Sequence, residues 1–210
     1  MERAWDPAAT RRAILDAAMA LFTSKGFAAV SVQQIATRAK VAKSLVIHHF
    51  GSKRELFRSA QDEQFRPYFD AQAQLLATFA ERSGRETMRA SMRAYFDFCR
   101  SHPEAVRMML WNATELEPTE PRLGAELVQQ GIKTIEKSQE AGELRSDIPA
   151  RMILMMFFAV TQHWFWTKAQ HIDTGAIGSG ADEDDAYIAA VERIFLDGLT
   201  HPHSERQEVR

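Results

Sequence analysis

The sequence predicts an all-α fold of about nine helices, with an N-terminal three-helix helix-turn-helix head followed by a larger helical body. Three observations carry this. Apolar residues recur at helical spacing along most of the chain, and no strand pattern is apparent. Two capping boxes, Ser31-Val32-Gln33-Gln34 and Ser52-Lys53-Arg54-Glu55, bracket a short segment with a break in its middle. Charge is divided: residues 1–60 hold ten Lys/Arg and four Asp/Glu, a surplus of +6, and the other 150 residues sum to −8, giving the total of −2. A basic head on an acidic body suits a polyanion binder with a second, non-binding domain, and a mixed solvated surface gives the same tally.

The totals bound the class. At 210 residues and 45% hydrophobic composition there is enough apolar material for a core. The longest near-continuous apolar run, 152–160, is less than half of the ~20 residues needed to span a bilayer. The N-terminus has no apolar signal core, so a cytoplasmic location is expected. The single cysteine, Cys99, excludes an internal disulfide and a cysteine-only zinc site.

In the head, Asp6-Pro7 reads as an N-cap followed by a first-turn proline. Ile14, Leu15, Ala18, Leu21 and Phe22 predict a helix over 7–24, ended by Gly26. Thr10, Arg11 and Arg12 lie near its start, either as a solvated first turn or as phosphate contacts. Behind Ser31 comes a short helix with Val32, Ile35, Ala36 and Ala39 inward, where Ala36 permits a steep crossing. The pattern breaks at Lys40-Val41. A second short helix runs from about 42 or 43 to 49, with Val46 and Phe50 as core residues and Gly51 after it. The helix opened by Ser52 continues through Leu56, Phe57, Phe65 and Phe69, and Pro67 is expected to kink or break it.

With Val46 and Phe50 turned inward, Lys43, Ser44, Leu45, Ile47, His48 and His49 are left for an outside partner. A helix-turn-helix places its second helix in the major groove. Lysine donates to guanine O6 and N7, serine pairs with more than one base, and Leu45 or Ile47 suits a thymine methyl. The helix starts at Ser31 with Gln33, and at Ser52 with Lys53, offer phosphate sites.

Residues 11–57 resemble the N-terminal domain of the TetR family of transcriptional regulators. The matching pieces are Ile14-Leu15, Ala17-Ala18, Leu21-Phe22, Lys25-Gly26-Phe27, Ser31-Val32, Ile35-Ala36, Val41, His48, Phe50, Gly51-Ser52-Lys53 and Leu56. There are departures. Lys40 stands where the family often has glycine, Ala42 where it often has a serine or threonine cap, and Ile47 where it usually has a phosphate-contacting tyrosine. The resemblance implies double-stranded operator DNA as partner, a homodimer formed through the last two long helices, and a small effector bound in the body.

The body reads as helices throughout. Ser83-Gly84 breaks one helix, and Met88, Met92, Tyr95, Phe96 and Cys99 share a face of the next. A helix restarts at His102-Pro103 and carries Val106, Met109 and Leu110, followed by a loop over 117–121. A more polar helix spans about 122–140, and another opens at Asp147-Ile148-Pro149 and runs to about Gln170. The latter is apolar nearly all round over 152–160, so it needs packing partners on every side, and a second subunit is the economical one. The last helix has Ile188, Val191, Ile194, Phe195 and Leu199 as its stripe, with Asp182, Glu183, Asp184 and Asp185 favourable at its start. Phe158, Phe165, Ile188, Val191 and Phe195 are the expected dimer contacts. Met92, Phe96, Cys99, Met108, Trp111, Phe157 and Trp164 are pocket candidates as a group, although each taken singly reads more readily as ordinary core. His163 and Trp164 could bring polar groups to such a pocket.

The expected domains are therefore 1–55 for DNA binding, 56–202 for effector binding and dimerisation, and 203–210 as a polar tail. An enzyme is not expected: no glycine-rich phosphate loop follows a strand, and nothing gathers Ser, His and Asp residues. No cofactor or metal is expected either, because His48 and His49 are adjacent on a helix and His201 and His203 lack further ligands at metal-binding spacing. The expectation is a homodimeric, ligand-responsive repressor. A DNA-binding activator, or a regulator with no effector, is the alternative.

Overall fold

The computed structural model describes residues 6–78, 82–115, 122–178 and 180–199. The loop expected over 117–121 and the polar tail lie outside the described residues. Nine helices and no strands are present among the described residues: α1 (Pro7–Lys25), α2 (Val32–Ala39), α3 (Lys43–Phe50), α4 (Lys53–Ala77), α5 (Gly84–Ser101), α6 (Pro103–Glu115), α7 (Arg122–Glu140), α8 (Ala150–Asp173) and α9 (Ala181–Leu199). They form two compact units. The head comprises Met1–Pro67 and His102–Ala125, and the body comprises Tyr68–Ser101 and Glu126–Arg210. The head thus extends beyond residue 55, into α4 and α6.

The head's helix ends follow local chemistry. The Asp6 carboxylate accepts from the N–H groups of Ala8 and Ala9 at 2.9 and 3.3 Å, filling donors that the first turn leaves open. Gly26 ends α1 at φ 80°, a conformation that costs a side-chain-bearing residue more. The Ser31 capping box closes in both directions, with Gln34 N–H to Ser31 Oγ at 3.2 Å and Ser31 N–H to Gln34 Oε1 at 2.8 Å. At Ser52 the hydroxyl accepts from the Glu55 N–H at 3.1 Å. Pro67 does not break α4, which continues through it with the proline exposed.

The head core gathers Ile14, Leu15, Ala18 and Phe22 of α1, Ile35 and Ala36 of α2, Val46 and Phe50 of α3, and Leu56 and Phe57 of α4. Phe22 meets Phe57 edge-on at 5.0 Å, and Phe27 does the same at 5.3 Å. Met108 of α6 belongs to this cluster and is fully buried in it. Arg12 ties α1 to α4 by bonding Glu63 at 2.6 Å while also holding Asp16 at 2.9 Å. Burial works to raise the Glu63 pKa, but hydrogen bonds from Arg12 and Arg66 outweigh it and hold the carboxyl below its ordinary value.

In the body, α5 is the central strut. Its buried stripe includes Met88, Met92, Tyr95, Phe96 and Cys99, as the sequence pattern predicts. Gly84 allows close approach to α7: a Cβ there would lie 2.1 Å from Ser138 Oγ. Three arginines of α5, two turns apart, pair with acids of the antiparallel α9: Arg85 with Asp197 at 2.7 Å, Arg93 with Glu192 at 2.6 Å and Arg100 with Asp185 at 2.8 Å. The expected stripe of α9 is rotated in the structure. Ile188 and Leu199 are buried along with Leu196, whereas Ile194 is 75% exposed.

Two defects flank the turn before α3. Lys40 adopts the left-handed conformation at φ 57°, ψ 41°, and Ala42 caps α3 with no side-chain hydrogen bond. Lys40→Gly is expected to stabilise the chain by about 0.5–1 kcal/mol and Ala42→Ser by about 1 kcal/mol, read as shifts in the denaturant midpoint at constant slope.

Candidate nucleic-acid interface and body interior

Once α3 has buried Val46 and Phe50, its remaining surface is fixed. Lys43, Ser44, Ile47 and His48 are exposed, and Leu45 and His49 are half-buried. Ile47 stands 43% exposed, a large aliphatic on an otherwise polar face. Ser31 and Gln33 are exposed at the start of α2. Lys53 is half-buried, with its ammonium 4.2 Å from the centre of the Phe27 ring. The structure therefore brings all nine residues proposed for DNA contact onto the head: one group at the start of α2, one along α3 and Lys53 at the start of α4. Two further cations lie on the head: Arg38 in the last turn of α2, which the sequence reading did not single out, and Arg11, which it left between a solvated first turn and a phosphate contact and whose guanidinium lies over the Phe50 ring. Arg11 carried a signal, a basic residue in the first turns of α1, but its neighbour Arg12 carried the same one.

The pocket candidates separate. Met92, Phe96, Cys99, Phe157 and Trp164 are all buried in the body. Met108 is a core residue of the head, and Trp111 belongs to the head as well, because α6 packs on α1. Trp164 stacks on Tyr187 with ring centres 4.1 Å apart, and Phe96 meets Phe165 at 4.9 Å. Around Tyr95 stand Tyr68, Phe157 and Phe158 at 5.1, 5.6 and 5.0 Å. The Gln162 amide donates to the Tyr95 hydroxyl at 2.9 Å. Burial raises the pKa of Tyr68 and Tyr95 and pushes the Cys99 thiol up to about 12, so all three are protonated at neutral pH.

Charge inside the body is compensated. Asp184, placed by the sequence at the start of α9, is buried and accepts at Oδ1 from Trp164 Nε1 at 2.8 Å and Lys168 Nζ at 2.6 Å. The Trp164 indole is thus committed to α9, and His163 is exposed. Of the expected dimer contacts Ile188 is buried, and Phe158 and Phe165 are half-buried. Ile188 lies in the cluster of Phe96 and Trp164, Phe165 packs on that cluster, and Phe158 packs on Tyr95. Val191 and Phe195 are half-buried. The outward apolar face of α8 is Met152, Met155 and Met156, each 42–52% exposed. No helix among the described residues is long and apolar enough to cross a membrane.

Comparison with known proteins agrees with the sequence resemblance. Residues 14–60 match the model of bacterial regulatory proteins of the tetR family, and residues 90–194 match a tetracyclin repressor-like C-terminal domain. The HTH-type transcriptional repressor SCO4008 of Streptomyces coelicolor is 26% identical over 158 residues, 74% of this chain and 78% of that one. The HTH-type transcriptional activator FasR of Mycolicibacterium smegmatis is 31% identical over 108 residues, 51% of this chain and 48% of that one. Among solved structures, a TetR family transcription regulator from Marinobacter aquaeolei has the same fold, with TM-score 0.67 at 19% identity, covering 91% of this chain and 96% of its own.

Two predictions follow from these sites. Lys43→Ala is expected to weaken binding to a sequence selected from a random duplex library by about 1–3 kcal/mol, with a smaller loss on random duplex; equal losses would make Lys43 a phosphate contact only. Cys99 is expected to react with a thiol-directed disulfide reagent at pH 8 only as the chain unfolds, measured by comparing the labelling rate with the denaturant transition, since burial keeps it a thiol well above that pH.

Proposed function

Because the chain belongs to the TetR family of bacterial regulatory proteins, we propose that it is a homodimeric repressor, released from a pseudo-palindromic operator by a small, largely apolar effector. The observation that carries the reading is the combination, in one chain, of a groove-compatible α3 surface and an unpartnered apolar face on α8. Lys43 and Ser44 lie at the amino end of α3, the part that reaches base edges in such motifs, and Leu45 and Ile47 offer contacts to thymine methyls. Two copies of this head, related by a two-fold axis, would read two half-sites.

The α8 face supports the dimer. Met152, Met155 and Met156 recur at helical spacing, opposite the stripe of Ile153, Leu154 and Phe157 that faces the chain's own core. Ile194 is the most exposed large apolar residue of α9. A second copy covering both faces would remove apolar surface that a monomer leaves in water. In this proposal these four face the partner together with the half-buried Phe158, Phe165, Val191 and Phe195, whereas Ile188 stays in the body core.

The body interior supports an effector of low charge. Its buried acids, Asp184 and Glu192, are already paired with Lys168 and Arg93, and Tyr68, Tyr95 and Cys99 are neutral at physiological pH. A charged guest would find no unpaired buried counter-ion among these groups, and its desolvation would be costly. An effector changes DNA affinity only through different affinities for the competent and incompetent states. Repression is favoured because the match to the repressor SCO4008 spans 74% of the chain, against 51% for the activator FasR.

Light scattering coupled to size exclusion is expected to give a dimer for the parent chain and a monomer for Met156→Glu with Ile194→Glu, with operator affinity falling at least tenfold on loss of the second half-site. A monomeric parent would remove the dimer from the proposal. A reporter driven by the selected operator is expected to fall on expression of the chain; a rise would make it an activator.

A further inference from the structure

Arg11 and Arg12 are adjacent in α1 and differently engaged. Arg12 has two of its N–H donors engaged within the fold, Nε by Asp16 at 2.9 Å and Nη1 by Glu63 at 2.6 Å. Arg58 and Arg66 of α4 are likewise held, by Glu55 at 2.7 Å and Glu63 at 3.2 Å. Arg11 is exposed, and no ion pair is formed by it among the described residues. Its guanidinium carbon lies 4.8 Å from the centre of the Phe50 ring, at the last residue of α3. Stacking on a ring uses the face of a guanidinium and leaves its in-plane N–H donors available, the edge that forms bidentate bonds to phosphate. The carboxyl end of a helix carries partial negative charge, so the end of α3 on its own repels phosphate. Arg11 over Phe50, with Lys53 over Phe27 just beyond, sets positive charge at that end.

We propose that Arg11 grips a DNA backbone phosphate beside the carboxyl end of α3, held in place by the Phe50 ring, and that Arg12 makes no such contact. The inference rests on the DNA-binding reading of the head. Phe50 then has two roles, closing the head core and seating the cation. A phosphate contact is independent of base sequence, so random duplex DNA is a sufficient probe.

The test is fluorescence anisotropy on a random-sequence duplex across a salt series, with the full chain. Arg11→Gln is expected to make the slope of log K against log salt shallower by about 0.9, so that affinity lost between about 50 and about 200 mM salt is roughly threefold less than in the parent. Arg11→Lys, which keeps the charge, is expected to restore the slope. Arg12→Gln is expected to keep the parent slope and to lower the melting midpoint instead, because its partners belong to the fold. An Arg11→Gln chain with the parent's slope overturns the inference, as does one that loses only thermal stability, which would make Arg11 a structural cap. A parent with no salt-dependent binding overturns the DNA-binding reading itself, a failure seen in the parent before any variant is compared.

Discussion

The head depends on the burial of a few side chains by two helices that could not persist alone. α2 and α3 have eight residues each, and isolated helices shorter than about 12–15 residues are marginal in water. They exist because Ile35, Ala36, Val46 and Phe50 are buried against Phe22, Leu56 and Phe57. Ala36 is fully buried, so any larger side chain at that position meets the core. The exposed residues of α3 are therefore placed by side chains that point the other way.

The same aromatic residues connect the core to the surface charge. Phe27 stacks on Phe22 at 6.1 Å and carries Lys53, while Phe50 closes the core and carries Arg11. Cations held on rings lose less freedom on meeting a phosphate than cations on unsupported stems. The body follows the opposite rule. Its buried acids, Asp184 and Glu192, are paired within the chain, and its interior offers rings, thioethers and neutral hydroxyls.

Much of this was legible in the sequence because it is local. The aspartate before Pro7, the serines at the two capping boxes and the glycine after Lys25 set helix ends within a residue or two. The inward positions of α1 to α3 follow from spacing alone. The illegible parts depend on contacts distant in sequence. Met108 reads as a body residue until α6 is seen to return to α1. Asp184 reads as helix-start charge, and only the tertiary fold brings Trp164 and Lys168 to it. The apolar run 152–160 has no polar face to give a direction, so Met152, Met155 and Met156 could not be told from Leu154 and Phe157 by pattern. For a related reason spacing places Ile194 in the apolar stripe of α9, whereas the structure leaves it 75% exposed.

The arginine rungs between α5 and α9 differ in their contact with water. Arg85–Asp197 and Arg100–Asp185, at the two ends, have acids 61% and 65% exposed, whereas Glu192 in the middle rung is 10% exposed. Mobile ions screen exposed pairs far more than sheltered ones. Rising ionic strength therefore weakens the two end rungs more than the middle one, and the Lys168–Asp184 pair at the start of α9 is the most sheltered of its ion pairs among the described residues. Because α9 also carries Ile194, salt has two points of action if the proposed function holds: the phosphate contacts of the head, and the ion pairs that fasten a helix on which a second copy would rest.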